Sequence, residues 1–397
     1  MVPSYPLPPK EDDPEVQPFR EENTMKDPTP KTLGVIACKE QGTPPFQETV
    51  YLKQLTREGR AMGIRLIVFS PKDIDWRRRT VSAWFWDLNS GKWGNRSQAI
   101  PPLVYDRCYY RDSRHYRTYK PYVTQLAQDS DVQLLGRPLG GKLQTQEMLE
   151  KNAAIRPYLP RTLLYRSPED LKSALNLSGS ILIKPNGGSH GRGVAAIFAE
   201  PGRSYRVQGR TRNNRGFHIR LKTERALRDW ILRFTGSARY LIQPYLGLQT
   251  EDGRPFDLRI LVQKGEDHRW VTTGMAVRTG KTHSLTSNIH GGGKAERAIP
   301  FLTAHFPGRR LSGILRSIRW LAEQVPRQIE KEHGRLAELG LDIGIDRQGR
   351  VWLLEVNSKP GRTVFLLTRE TDVRRRSIQL PMQYARTLLN GLVGGSV

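Results

Sequence analysis

The chain has 397 residues, with 64 lysines and arginines against 39 acidic residues and a formal net charge of +25. This charge favours anionic partners such as nucleotides or acidic polymers, and nucleic acid is the less favoured interpretation because no nucleic-acid-binding motif accompanies it. Two cysteines exclude a disulfide framework and suit a cytoplasmic location, and no apolar run approaches the roughly 20 residues of a membrane span, so we expect no membrane association.

The first third of the chain divides into a tail and a small domain. Residues 1–30 are rich in proline and acid and are predicted to form a disordered tail. Residues 31–136 follow with strand, helix and strand patterns, and then a hairpin that turns at Asn89-Ser90-Gly91. Together these patterns predict a small α/β domain with a parallel unit.

The rest of the chain has the pattern of an α+β body with antiparallel strands. A helix is predicted from Gly141 to about Asn152. The polar span 203–221 is interpreted as a β-rich excursion, and the arginine-rich span 203–228 as a solvated face rather than a specific binding site. A long helical pattern later in the chain is expected to be interrupted at Pro326.

The segment "LDIGIDRQGRVWLLEVN" predicts a hairpin that turns at Gln348-Gly349. The expected register pairs Asp346 with Val351, Gly344 with Leu353, and Asp342 with Glu355. Glu355 and Asn357 share a strand face, so Asp342, Glu355 and Asn357 would converge as oxygen ligands that suit Mg²⁺. The alternative is a solvated acidic hairpin, but directly opposed carboxylates repel each other, which favours the metal.

The segment "ILIKPNGGSHGRGV" predicts a second site. An apolar strand delivers Lys184, and a glycine-rich loop follows with Gly187, Gly188, Ser189, Gly191 and Gly193. Glycines let backbone N–H groups close around phosphate oxygens, and the lysine adds a positive charge. No helix that begins with Gly-Lys-Ser/Thr follows, so this is not a Walker motif, and an ordinary hairpin loop is the alternative.

Further basic residues accompany these segments. Lys142 begins the predicted helix. Arg259 shares a strand face with Asp257, so it either pairs with that carboxylate or contacts a phosphate or acyl phosphate. Arg278 and the loop "TSNIHGGG" have the pattern of another anion-facing segment, where His290 is either a general base or an exposed loop histidine.

The order of these features resembles the ATP-grasp superfamily over about residues 136–395. The phrases "IKPNGGSHGRGV", "SNIHGGG" and "WLLEVNSKPG" resemble the endospore coat-associated YheC/YheD family. The resemblance implies a mixed α/β (α+β) ATP-grasp fold after a small α/β domain. The implied ATP-grasp domain spans 137–397, with a glycine-loop subdomain at about 155–245 and a metal-binding subdomain at about 246–397.

The same resemblance implies a role for each site residue. Phosphate contacts are implied for Lys142 and Lys184, and a phosphate cover for the loop Gly187–Gly193. Gln243, Tyr245 and Leu246 would border adenine. Two Mg²⁺ ions, with Mn²⁺ as an alternative, would be held by Asp342, Glu355 and Asn357. Stabilisation of the transferred phosphate is implied for Arg259, Arg278 and Lys184, and Asn288 would lie near the metals or phosphate.

The implied activity is ATP-dependent ligation, in which a carboxylate is activated as an acyl phosphate and attacked by an amine. The partners would be ATP and an unidentified carboxylate and amine, and the basic charge suggests an acidic peptide or polymer. The resemblance also implies a link to sporulation and the spore coat. Two alternatives stay open: a coat-associated binding protein with little turnover, and a kinase acting on another acceptor.

Overall fold

The computed structural model describes residues 31–188, 191–282, 284–285, 287 and 293–394. Within these residues the strands form three sheets, built one after another along the chain. None of the helices in the described segments combines the length and apolar character that crossing a bilayer requires.

The N-terminal sheet is mixed. Its strands are β1 (Lys31–Ile36), β2 (Ile64–Phe69), β3 (Ile74–Asp75), β4 (Thr80–Trp86), β5 (Trp93–Ala99), β6 (Leu103–Asp106) and β7 (Gln133–Leu135), with helices α1 (Thr49–Ala61) and α2 (Ser113–Gln128). Strand β1 lies parallel to β2 and β6, which confirms the predicted parallel unit, and β4 and β5 form the predicted hairpin. The central strands are apolar on both faces because helices cover both of them.

The middle sheet is antiparallel and follows helix α3 (Lys142–Glu150). Its strands are β8 (Leu163–Tyr165), β9 (Ser180–Pro185), β10 (Val194–Glu200), β11 (Ser204–Arg210), β12 (Gly216–Leu221) and β13 (Tyr240–Pro244), with helices α4 (Pro168–Ser178) and α5 (Glu224–Thr235). Both helices pack on one face, where their leucines meet Ile183, Ile197 and Val207. The opposite face carries Lys184, because alternate residues of a strand point to opposite sides.

The third sheet has the order β16-β15-β14-β17-β18. Its strands are β14 (Phe256–Lys264), β15 (Trp270–Thr279), β16 (Lys294–Arg297), β17 (Glu338–Ile345) and β18 (Val351–Asn357), with helices α6 (Ala298–His305), α7 (Arg309–His333), α8 (Thr363–Leu367) and α9 (Thr371–Gly394). Helices α6 and α7 cover an apolar face. The other face carries charged side chains, including Arg259 and Asp342.

The predicted interruption at Pro326 is wrong, because α7 runs through this residue. Proline removes one backbone hydrogen bond and disfavours a helix interior. Here Pro326 lies among buried residues of α7, between Val325 and Ile329, which pack on the third sheet. Burial of this apolar helix face outweighs the local preference.

Helix α9 packs on the N-terminal sheet, although it closes the chain. Met382, Tyr384 and Ala385 belong to the same apolar cluster as Leu33 of β1 and Leu55 of α1. The last helix therefore completes the core of the first sheet. The predicted domain limits group α9 with the ATP-grasp domain, and they stay a prediction.

Candidate functional site

The hairpin of β17 and β18 brings Asp342 opposite Glu355, as expected, but with a different register near the turn. The observed pairs are Ile345 with Val351, Gly344 with Trp352, and Ile343 with Leu353. The expected pairs of Asp346 with Val351 and Gly344 with Leu353 are therefore wrong. A β-bulge leaves Leu354 unpaired and shifts the register by one residue, so Asp342 still faces Glu355.

The turn explains the displaced register. Asp346 donates its backbone N–H to Arg350 O at 3.1 Å. Its carboxylate accepts the N–H groups of Gln348 at 3.1 Å and Arg350 at 2.9 Å. Gly349 has φ +83°, which a glycine adopts without steric strain. An aspartate that caps its own turn, followed by this glycine, tightens the loop and pairs Asp346 with Arg350 instead of Val351.

Asp342 is buried, and three side chains approach it. Arg259 lies opposite on β14, with its Nε 2.7 Å from Oδ1, and Arg278 Nη2 is 3.1 Å from Oδ2. Asn357 Nδ2 donates to Oδ2 at 3.5 Å. Burial alone would raise the pKa of Asp342, but the two guanidinium charges outweigh it and hold the pKa below its ordinary value. The carboxylate is therefore ionised at neutral pH.

Asp257 does not pair with Arg259, which was one of the two expectations for that arginine. Instead Arg278 Nε lies 2.6 Å from Asp257 Oδ1, and Ser287 Oγ donates to the same carboxylate. Burial raises the pKa of Asp257, although the Arg278 charge opposes this shift. Arg278 thus bridges two buried carboxylates, and its position is tightly constrained.

Two lysines from different elements meet the Glu355 strand. Lys142 Nζ lies 3.3 Å from Glu355 Oε1 and donates to Gly188 O at 2.8 Å. Lys184 Nζ lies 3.4 Å from Leu354 O, the residue that the bulge leaves out of the ladder. Burial lowers the pKa of Lys184 to about 8, with the Lys142 charge acting in the same direction. The bulge therefore places Glu355 opposite Asp342 and leaves the Leu354 carbonyl free of the ladder, where it accepts from Lys184.

A cleft lies between the middle and third sheets. Of the predicted site residues, its lining includes Lys142, Lys184, Gly187, Gly188, Gln243, Glu355 and Asn357. Asp342, Arg259 and Arg278 form a layer behind it, joined to the lining through Asn357. Gly191, Gly193, Tyr245 and Leu246 do not line the cleft. Ser189, Asn288 and His290 lie outside the described residues.

The predicted adenine residues have structural partners. Tyr245 donates its backbone N–H to Ser180 O at 3.1 Å, and its ring packs edge-on against Phe198 with centroids 4.9 Å apart. Gln243 Nε2 donates to Thr162 Oγ1 at 2.7 Å. Among the three, Gln243 reaches the cleft, and the adenine assignment stays a prediction.

Comparisons with known proteins identify the family of the chain. A model of the YheC/D like ATP-grasp family matches residues 131–388. The endospore coat-associated protein YheC of Bacillus subtilis (strain 168) is 31% identical over 340 residues, which cover 84% of this chain and 90% of YheC. This chain belongs to the YheC/D-like ATP-grasp family. YheD of the same organism is 24% identical over 324 residues, which cover 81% of this chain and 70% of YheD.

Solved structures show the ATP-grasp fold. D-cycloserine synthetase DcsG superposes with a TM-score of 0.53 at 12% identity, covering 91% of this chain and 99% of DcsG. D-alanyl-alanine synthetase A from Vibrio cholerae gives a TM-score of 0.52 at 13% identity, and the match covers 92% of this chain and 99% of the synthetase. The predicted family and the predicted mixed α/β ATP-grasp fold are confirmed.

The sequence analysis did not identify Asn186 as part of the site. Its carbonyl accepts the Lys142 N–H at 2.9 Å, and its side-chain oxygen accepts the Leu143 N–H at 2.9 Å. A Cβ on Gly141 would lie 2.5 Å from Asn186 Nδ2, so glycine is needed there for the close approach. Asn186 therefore fastens the glycine loop to the start of α3. Its position directly after Lys184-Pro185 was the available signal.

A buried ionic network behind the site was also missed. Glu338, at the start of β17, accepts from Arg107 Nη1 at 2.8 Å, from Gln263 Nε2 at 2.9 Å, and from Arg362. Arg107 also pairs with Glu48 at 2.9 Å. We call these five residues the Glu338 network. It joins the N-terminal sheet to the strand that carries Asp342, and its members are too far apart in sequence to be associated by pattern.

The donor set of the predicted metal site fits Mg²⁺. Among the described residues, no group of three or more His, Cys, Asp or Glu could hold a metal. A metal here would use the carboxylates of Asp342 and Glu355 with the amide oxygen of Asn357, and such oxygen donors suit Mg²⁺. Asp342 Oδ1 is buried and accepts no well-aligned hydrogen bond, and its one close contact is the ion pair with Arg259 Nε at 2.7 Å, which a metal would have to displace. Rotation of the Asn357 amide would present its oxygen.

Proposed function

We propose that this chain is an ATP-dependent ligase that joins a carboxylate to an amine and releases ADP and phosphate. The observation that carries the proposal is the meeting of Lys142, Lys184 and Glu355 in one cleft, although they come from three separate elements. Two ammonium groups beside a carboxylate and glycine backbone suit a polyphosphate with its cation.

Each basic side chain has a role in this scheme. Lys142 and Lys184 neutralise phosphate oxygens of ATP, while Gly187 and Gly188 allow the backbone to approach them. Asp342, Glu355 and Asn357 would hold Mg²⁺, which would supply further neutralisation of phosphate charge. Arg259 and Arg278 stabilise the transferred phosphate, and their carboxylate partners hold both guanidinium groups in place.

The proposed chemistry has two steps. A carboxylate oxygen of the substrate attacks the γ-phosphorus, and the bond between this phosphorus and the bridging oxygen of ADP breaks. The amine then attacks the carbonyl carbon of the acyl phosphate. The bond from this carbon to the bridging oxygen breaks, phosphate leaves with that oxygen, and the amine proton passes to solvent. The protein supplies alignment and charge stabilisation, so this scheme requires no covalent enzyme nucleophile.

Glu355→Gln tests the proposal. With ATP, Mg²⁺ and a panel of amino acids as acid and amine, we expect ADP release by the native chain and at least a 100-fold loss in the variant, because a positioned charged group is removed. Glu224→Gln is the matched control, since Glu224 is an exposed acid on α5 that pairs with Lys172 at 2.7 Å. Full activity of Glu355→Gln with an unchanged unfolding temperature would refute the assignment.

One observation favours a second candidate, a nucleotide-binding protein with little turnover. Asp342 is already engaged by Arg259 and Arg278, which compete with a metal for its oxygens. ADP binding without release of ADP or phosphate from ATP across the whole panel would support this candidate over the ligase. Phosphorylation of a non-carboxylate acceptor would support the kinase alternative.

We also propose a cytoplasmic protein that associates with the spore coat. The proposal rests on the name of the relatives YheC and YheD, which are described as endospore coat-associated. Fractionation of sporulating cells with an antibody to the chain tests it, and absence from purified coats would contradict it.

A further inference from the structure

One face of the middle sheet is covered by helices, and the other is buried at Gln243 and Ala196 but exposed towards β12, at His218 and Arg220. Helices α4 and α5 cover the face of Ile183, Ile197 and Val207. The second face includes Lys184 and Gln243, which line the cleft. It continues away from the cleft, because the ladder registers extend across the sheet to β12.

The registers trace this continuation. One row of cross-strand neighbours runs through Gln243, Leu182, Ala196, Gln208 and His218, and the next runs through Ser180, Phe198, Arg206 and Arg220. The first row begins at Gln243 in the cleft, the second begins at Ser180 at the other end of β9 from Lys184, and both end on the edge strand β12. The face that holds Lys184 therefore leads, without a break in the sheet, into a group of basic residues.

We define the basic strip as Arg206, Arg210, His218 and Arg220. The side chains of Arg206 and Arg220 are 37% and 70% exposed, so both are accessible to a partner. One acid, Glu200, is shared between them, with contacts of 3.6 and 2.7 Å. Arg210 is held by a neutral partner, since its Nε donates to Asn214 Oδ1 at 2.8 Å. The strip thus carries more positive charge than its own acid compensates.

The third sheet adds positive charge at the near end of the strip. Burial raises the pKa of Tyr245, while the charges of Arg206 and Arg347 both oppose this rise. Arg347 belongs to the turn between β17 and β18, so positive charges from two sheets act on the same hydroxyl. An anionic chain that lies on the strip would meet positive charge on both sides as it approaches the cleft.

We propose that the basic strip docks an acidic polypeptide, which delivers a side-chain or terminal carboxylate to the ligase site; the inference rests on the proposed function. An extended peptide presents every second side chain on one face at about 6.6–7 Å, the spacing of residues along one face of β11. Acidic side chains at this interval can pair with the arginines.

The surface is less suited to a nucleic acid. Binding of single-stranded nucleic acid relies on exposed aromatic rings on which bases stack. Phe198, the aromatic residue in the two rows, is covered by the Arg206 guanidinium at 3.9 Å from its ring centroid and by Tyr245 at its edge. In the two rows charge is therefore available, but no freely exposed Phe, Tyr or Trp ring is.

Fluorescence anisotropy of the full chain with labelled poly-L-glutamate, without ATP, tests the proposal. We expect binding that weakens with salt, and a roughly tenfold loss of affinity in the double variant Arg206→Glu/Arg220→Glu. The control is Arg225→Glu/Arg228→Glu, which reverses two exposed charges on α5, the helix that covers the opposite face. Both double variants change the net charge equally, so long-range attraction falls equally in both. Apart from this shared effect, we expect the control to bind poly-L-glutamate within twofold of the native affinity. Unfolding temperatures monitor the fold of both variants.

The outcomes separate the docking proposal from the proposed function. Equal losses in the two double variants would overturn the docking proposal, since net charge alone would then explain binding. A DNA oligonucleotide of equal charge that competes better than unlabelled poly-L-glutamate would also overturn it, in favour of nucleic acid. Strip-dependent binding without ADP release from any substrate would support docking and count against the ligase.

Discussion

At the residue scale, Lys184 combines burial with a positive charge. Its ammonium lies near Glu355 and Lys142, and burial lowers its pKa from 10.5 to about 8. An ammonium placed where water is scarce is destabilising in the free protein but interacts strongly with a phosphate. Under the proposed function, Lys184 would lower the stability of the unliganded chain and strengthen nucleotide binding.

Lys184→Met should stabilise the unliganded protein at pH 7. The unfolded chain binds the lysine proton more tightly than the folded chain, so between pH 8 and 10.5 this group makes the native chain more stable as pH rises. The advantage of the variant should therefore be largest below pH 8 and shrink towards pH 10. Urea unfolding at several pH values measures it. Lys172→Met, at an exposed residue on α4, should change stability by the same amount at every pH. A stability change in Lys184→Met that does not vary with pH would contradict the burial argument.

The affinity of the native chain for ADP should fall as the pH rises through about 8, because the folded lysine then loses its charge. Calorimetric titration at pH 7 and pH 9 with constant Mg²⁺ measures this. Lys184→Arg keeps its charge throughout this range and should lose the pH dependence. Equal pH dependence in the native chain and in Lys184→Arg would assign the effect to another group.

At the element scale, the β17–β18 hairpin decides where the carboxylates lie. The turn at Gly349 sets one register, and the bulge at Leu354 shifts it by one residue before Glu355. A slip of one residue exchanges the faces of a strand. The alternation of Glu355 and Asn357 was readable from sequence, but the bulge was not, because it depends on the closure of the turn and on Lys184 from another sheet.

Gly349→Ala should destabilise the hairpin by about 1–2 kcal/mol, because φ is +83° there and a Cβ would lie 2.8 Å from Arg310 Cγ. Gly313→Ala is the contrasting variant, since this glycine lies inside α7 with open space around it, and alanine should stabilise the helix by roughly 0.5–1 kcal/mol. Chemical denaturation of both variants checks the opposite signs. A stabilised Gly349→Ala would refute the turn geometry.

At the scale of the whole molecule, the Glu338 network and helix α9 join the N-terminal sheet to the ATP-grasp part. Glu338 and Arg107 are buried, and their residue numbers differ by 231. Arg107 directly follows β6 of the first sheet, whereas Glu338 begins the strand of Asp342. The network therefore ties the position of the site to the position of the first sheet.

Glu338→Gln should lower the unfolding free energy by roughly 3–5 kcal/mol, because two buried guanidinium groups lose their shared counter-charge. Glu323→Gln is the control, since it removes an exposed i,i+4 partner of Arg327 and should cost only about 0.3–0.5 kcal/mol. Denaturant unfolding at pH 7 compares the two variants. A cost below about 1 kcal/mol for Glu338→Gln would show that the network contributes little.

Local pattern was sufficient for part of the structure. Alternation placed Glu355 and Asn357 on one face, and the glycine-rich loop after Lys184 marked a phosphate-binding candidate, because strand period and glycine conformation are properties of neighbouring residues. Tertiary structure alone decided that Arg259 pairs with Asp342 rather than Asp257, that α7 passes through Pro326, and that α9 completes the first core. These outcomes depend on burial and charge pairing between distant segments, whose free energies exist only once the sheets have assembled.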